Sequence, residues 1–143
     1  MKKTRQLLRV LQDQLDTCNK YLAIQNKKTD CLVAGDIKVL DTIVRDDQLF
    51  VMQMESLEHK RTKLLDEMGL SEITINEFIE RCADAGNKDK YTEVFQNLSD
   101  VLYKLKKVND LNQKLLKQRL SVVNKLLAKD HANEVENIRL CKV

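Results

Sequence analysis

Apolar residues recur along this chain at the alternating three- and four-residue spacing of a heptad helix, and the pattern fails near each of three glycines. The first run puts Leu8, Leu11, Leu15, Cys18 and Leu22 on one stripe and continues in register through Gln25 and Thr29 to Leu32. It predicts a helix over about 4–34, closed by Gly35, which takes a left-handed C-terminal position without steric cost. Asp36 has the side chain to cap a second helix, over about 36–68. The seam of that helix is Ile37, Leu40, Val44, Val51, Met54, Leu65 and Met68, with Ile43, Phe50, Leu57 and Leu64 recurring beside it. So wide an apolar stripe predicts more than one packing neighbour. After Gly69, Thr74-Ile75-Asn76-Glu77 matches a capping box, in which Thr and Glu satisfy each other's free N–H groups. It opens a short helix over about 75–85 with Ile75, Phe78, Ile79 and Cys82 inward, and the segment from Ala85 to Lys90 reads as loop.

The last run is the most regular. Tyr91, Val94, Leu98, Val101, Leu105, Val108, Asn112, Leu115, Arg119, Val122 and Leu126 keep the alternation without a slip and predict a helix over about 90–128. Residues 129–143 lose the heptad and are expected to form a mobile tail. The fold expected is all-α: long antiparallel helices with heptad seams forming an elongated bundle, plus one short helix. Each long helix would span about 45–55 Å.

Charge supports this arrangement. Residues 1–35 carry a net charge of +4, residues 36–90 carry −5, and residues 91–129 carry +5. An acidic second helix between basic first and last helices predicts that all three pack together, since charges beside a seam select partner and orientation. Charged residues make up 33% of the chain, proline is absent, and no uninterrupted apolar run could span a membrane. The basic start, MKKTR, lacks a following apolar core because Arg9, Gln12 and Asp13 break it, so a cytoplasmic chain is expected.

Candidate chemistry is thin. Cys18, Cys31, Cys82 and Cys141 form no C-x-x-C pair, and neither His59 nor His131 lies at metal-ligand spacing from them, so no metal site is expected. Cys18 and Cys82 read as small core residues. No phosphate loop, nucleophile elbow or metalloprotease motif is present, so no catalytic residue and no cofactor is assigned. The lysines of the last helix have neither aromatic platforms nor a recognised motif beside them, which argues against nucleic acid. Four seam positions are polar: Asp47, Arg61, Asn112 and Arg119. Either they rotate to the rim of the bundle or they fix its register, as a core Asn does in a coiled coil.

The segment KKTDCLVAGDIKVLDTIVRDDQLFVMQMESLEHKRTKLL carries a family resemblance. Lys28, Leu32, Gly35, Asp36, Leu40, Asp47, Gln48, Leu57, Glu58 and Arg61, followed later by Asn109, Asn112, Leu115 and Leu116, are similar in order and spacing to FlgN-type flagellar export chaperones. The family usually carries Glu where this chain has Asp47. Many members also carry a Tyr-Asp-x-x-Gly-like sequence after the last long helix, where residues 129–133 here read KDHAN. The resemblance implies a non-enzymatic cytoplasmic chaperone that binds hook-associated flagellar proteins, prevents their early assembly and delivers them to the type III export apparatus. A structural coiled-coil scaffold is the competing reading, and a homodimer is compatible with either. Because the family binds clients toward its C-terminus, the expected contacts are Val123, Leu126 and Leu127 with Val135, Ile138 and Leu140. Gly35, Asp36, Asp47, Glu58, Arg61, Asn109 and Asn112 are the expected register residues.

Overall fold

The computed structural model describes residues 2–36, 38, 40–82 and 86–141, and the side chains at 40, 75, 82 and 133–141 lie outside the described residues. Four helices account for nearly all of it: α1 (Lys2–Ala34), α2 (Leu40–Glu67), α3 (Ile75–Cys82) and α4 (Lys88–Cys141), with no strand among the described residues. The chain turns where glycine permits it. Gly35 has φ +74°, which lets the Asp36 N–H reach back to the Cys31 carbonyl at 3.0 Å and close α1. Gly69 has φ +70° and ends α2 in the same way, with the Leu70 N–H on the Leu65 carbonyl at 2.8 Å. Both are Schellman closures, in which the left-handed residue redirects the chain while the last carbonyls keep donors.

Two boundaries differ from the sequence expectation, the start of α2 and the end of α4. The Asp36 carboxylate accepts the Lys38 N–H at 3.2 Å, so it caps a turn, and α2 begins only at Leu40. α3 starts where the capping box placed it, with the Glu77 N–H on Thr74 Oγ1 at 3.2 Å, and extends to Cys82; residues 83–85 lie outside the described residues. α4 does not stop near 128 but runs to Cys141, because neither Gly nor Pro follows Lys88 to break it. At 54 residues α4 is about 80 Å long, far more than the bundle it joins.

α1 lies between α2 and α4, and α3 rests on α4. Contacts from Lys3–Glu67 through Cys18–Met54 to Gln25–Asp47 make α1 and α2 antiparallel. α4 instead runs parallel to α1. The Tyr91 hydroxyl donates to the Thr4 carbonyl, Asn112 Nδ2 to the Gln25 carbonyl and Arg119 Nε to the Leu32 carbonyl, and each pair is 87 residues apart. A fixed offset along the whole interface means the two heptads stay in phase.

The core has an apolar end and an apolar middle. At the end, Leu7, Leu11, Phe78, Tyr91 and Val94 are buried, with the Phe78 ring edge-on to Tyr91 at 5.1 Å. In the middle, Cys18, Val101 and Leu105 are buried, and Tyr21 stacks on Phe50 at 3.8 Å. Burial pushes the Cys18 thiol above its ordinary pKa, as suits an inert core residue. On α2 the seam is displaced from expectation. Ile43, Phe50, Leu57 and Leu64 turn inward with Asp47, Met54, Arg61 and Met68, whereas Val44 and Val51 are 48% and 50% exposed. α2 is apolar on both sides of its seam, and α1 covers only one of them.

Candidate functional site

The polar seam positions converge on α1. Asn112 is buried in α4 and donates from Nδ2 to both the Gln25 carbonyl and Gln25 Oε1, each at 3.0 Å. Gln25 Nε2 passes the chain on to Asp47 Oδ1 at 2.8 Å, and Lys28 Nζ holds Asp47 Oδ2 at 3.3 Å. The Thr29 hydroxyl donates to Asn112 Oδ1 at 2.5 Å. One layer therefore joins all three long helices, and no buried side-chain nitrogen or oxygen lacks a partner among the described residues. Such a layer rejects shifted registers, because a slip by one heptad would set these groups against apolar neighbours. Asp47 and Asn112 do not turn to the rim of the bundle: both are hydrogen-bonded to Gln25 between the helices.

Burial and the neighbouring Asp47 carboxylate, which accepts its hydrogen bond, push the Tyr21 hydroxyl up to about 12. About three helical turns away along the α1–α2 pair, the theme repeats. Gln14 Nε2 donates to Glu58 Oε2 at 3.2 Å, and Arg61 Nε donates to the same oxygen at 2.8 Å. The Arg61 hydrogen bonds hold Glu58 below the usual carboxylate range. Asn109, expected beside Asn112, is exposed and apart from this layer.

Arg119 does something different. Its Nε and Nη2 donate to the Leu32 and Val33 carbonyls at 2.9 and 2.7 Å, so a cation sits on the negative end of α1. The guanidinium also lies 3.5 Å from where a Gly35 Cβ would be. Arg119 thus marks where the α1–α4 interface ends. Carried to Ala34, the last residue of α1, the offset of 87 lands on Ser121. Beyond that point α4 projects past the bundle with no helix beside it among the described residues.

This projecting arm carries the expected contact residues. Val123, Leu126 and Leu127 are 42%, 58% and 60% exposed, and Leu120 and Val122 are exposed with them. The side chains of Val135, Ile138 and Leu140 lie outside the described residues, although the backbone of α4 continues through them. At the root of the arm, Cys31 and Leu32 of α1 face Leu116, Leu120 and Val123 of α4 across a cavity of about 220 Å³, which Arg119 borders. Sequence reasoning did not single out Cys31 or Leu32 as cavity walls, nor Gln25 and Thr29 as partners of Asn112. The two polar partners had left a signal, since both fall on the heptad of the first helix.

Among the described residues no three His, Cys, Asp or Glu side chains converge on a metal-sized site, and no helix is long and apolar enough to cross a membrane. What the arrangement offers is an apolar helical surface on a rigid base. Comparison with known proteins gives it a family. The uncharacterized protein YvyG of Bacillus subtilis (strain 168) is 30% identical over 107 residues, which is 72% of this chain and 65% of that protein's length. The chain therefore spans a little under two thirds of that relative. No solved structure gives a significant match. The profile of the FlgN protein family matches residues 1–137, and with nearly the whole chain covered the protein belongs to the FlgN family.

Proposed function

We propose that this chain is a cytoplasmic export chaperone that binds hook-associated, or hook–filament junction, flagellar proteins, keeps them from assembling early and delivers them to the type III export apparatus. The family match supports this reading. The observation that carries it is the bare apolar face of α4 from Leu120 onward, with Leu120, Val123, Leu126 and Leu127 all exposed. Exposed apolar patches of this kind mark binding surfaces. Seating a client helix in such a groove withdraws from water the surface that would otherwise drive the client's premature assembly.

Residues 129–143 join this contact through Val135, Ile138 and Leu140, which would extend the surface of Val123, Leu126 and Leu127 along the same helix. A lone helix without a packed face is marginal in water. We therefore infer that this segment exchanges between helix and coil in the free chain and is fixed by the client. The ordering cost limits affinity, which suits a chaperone that must release its cargo.

The test is calorimetric titration of the full chain with the C-terminal helix of a hook-associated protein, repeated on a chain truncated after Lys129. The truncated chain should keep its melting temperature and bind at least tenfold more weakly, which is about 1.4 kcal/mol. Unchanged affinity would move the client site onto the bundle. Absence of binding by the intact chain would remove the chaperone reading.

A further inference from the structure

An α-helix ends on carbonyls that its own hydrogen-bond ladder cannot serve. In α1 these belong to Cys31, Leu32, Val33 and Ala34. The turn at Gly35 serves the first, through the Asp36 N–H on the Cys31 carbonyl at 3.0 Å. The next two are served from another helix, by Arg119 Nε and Nη2 on the Leu32 and Val33 carbonyls at 2.9 and 2.7 Å. A planar guanidinium on two successive carbonyls fixes direction as well as distance, whereas a single bond would leave α4 free to turn about it. The same guanidinium lies against Gly35, with Nη1 and Nη2 each 3.5 Å from where a Cβ would stand.

Side-chain packing does not share this task. Elsewhere on the α1–α4 interface apolar groups close on one another, as Cys18 does with Val101 and Leu105, and Leu7 and Leu11 with Tyr91 and Val94. At the end of α1 they stand apart, with Cys31 and Leu32 facing Leu116, Leu120 and Val123 across about 220 Å³. Neither Gly nor Pro follows to bend α4, so from this point it moves as a rod. Between Arg119 and Cys141 that rod is about 33 Å long, and a tilt of about 10° at its root carries the tip about 6 Å. Arg119 is itself exposed, so its tie to α1 can open without unpacking the core.

We propose that Arg119 is the positioning residue of the arm: its two bonds to the end of α1 aim the apolar face that begins at Leu120, and the cavity beside them is the clearance into which the arm swings when they open. The pivot stands on this geometry alone. Its use rests on the chaperone reading, because a face already aimed leaves a client less to order than one that samples many bearings. Lysine cannot take the place of Arg119, since an ammonium is a single point on a flexible stem.

The experiment is a pulsed electron spin resonance distance measurement on the full chain. The two labels are carried by unnatural keto amino acids at Glu55 on α2 and Ala132 on the arm, both exposed, so the native cysteines stay untouched. The parent should give one narrow distance distribution. Arg119→Lys and Arg119→Ala should each at least double its width while helix content by circular dichroism is unchanged; if Arg119→Ala perturbs folding, Arg119→Lys gives the same readout. Filling the clearance should substitute for the lost fork, so Cys31→Leu added to Arg119→Lys should bring the width most of the way back. A residue that merely capped α1 would not respond to that second change. In titration with the C-terminal helix of a hook-associated protein, Arg119→Lys should bind about threefold more weakly or worse, and the double variant should recover.

Widths equal to the parent's in both Arg119 variants, a parent already as broad as they are, or no narrowing by Cys31→Leu would each overturn the pivot. Widened distances with unchanged client affinity would overturn the positioning role. A parent chain that binds no such helix while the distances behave as expected would sink the chaperone reading and leave the pivot standing.

Discussion

Asn112 is the most exacting place to perturb this bundle. Replacing it by Leu removes the donor that Gln25 Oε1 accepts at 3.0 Å, and Gln25 is fully buried. The Gln25 carbonyl is less affected because it also lies in the helical hydrogen-bond ladder of α1. Thr29 can turn back to that carbonyl, 3.1 Å away. The loss therefore concentrates on one buried acceptor, at about 1–3 kcal/mol, and misfit of the branched side chain adds about 1 kcal/mol. Asn112→Leu should cost about 2–4 kcal/mol, a large part of a typical stability of about 5–15 kcal/mol. Gln25→Leu should cost about as much, since Asn112 Nδ2 loses its side-chain acceptor and keeps only the residue-25 carbonyl. The double variant should recover most of the loss, because replacing both partners by apolar groups is close to neutral. Asp47 keeps Lys28 in that variant.

Urea denaturation of the four chains completes the cycle, with an expected coupling of at least 1 kcal/mol. Single variants within about 0.5 kcal/mol of the parent would mean that water replaces the lost partners, and the layer would then specify nothing. If the layer sets register, the double variant should also show doubled or broadened amide resonances despite its recovered midpoint, as chains settle in more than one heptad alignment.

Leu105→Asp should unfold much of the bundle, because Leu105 is buried beside Cys18 and Val101 and an unpaired charge there costs several kcal/mol; an unchanged melting temperature would refute the placement. Arg119→Ala should lower the urea midpoint by an amount equivalent to about 1 kcal/mol, and Arg119→Lys should restore little, since an ammonium cannot span the Leu32 and Val33 carbonyls as the guanidinium fork does. Full recovery by Lys would show that only charge matters. The raised Tyr21 pKa makes an alkaline prediction. Its stabilising contribution is complete below pH 10.0, the ordinary value, and falls as pH rises toward about 12, because the unfolded chain loses the phenolic proton first. Stability of the parent minus that of Tyr21→Phe, followed by urea midpoint, should decline across that window; parallel curves would refute the burial of the hydroxyl beside Asp47.

Sequence periodicity located the helices well because local spacing determines which face is apolar, and α1 and α4 each have a single dominant stripe. It misplaced half of the α2 seam for a physical reason. Positions 47, 54, 61 and 68 were read correctly, but the companion stripe could be Val44 and Val51 or Ile43, Phe50, Leu57 and Leu64, and both are apolar. The choice belongs to tertiary packing. Gln25 and Lys28 on α1 draw Asp47 to one side, and the Tyr21 ring receives Phe50 there, leaving Val44 and Val51 toward solvent. Polar groups that look like defects in one helix turn out to select the face once their partners on another helix are known.

The arm shows the opposite limit. The heptad of α4 passes through Leu105, Asn112, Arg119 and Leu126 without any change of spacing, yet Leu105 is buried and Leu126 is exposed. Periodicity records that a face is meant to be covered and says nothing about what covers it. The difference comes from the length of another helix: α1 ends at Ala34, and a parallel register of 87 residues converts that end into a boundary at Ser121 on α4. The seam before the boundary is covered within the chain, and Val122 and Leu126 just after it keep the apolar period but stay exposed. A seam written for two helices but filled by one leaves a stable bundle with a bare apolar helical face beside its packed core.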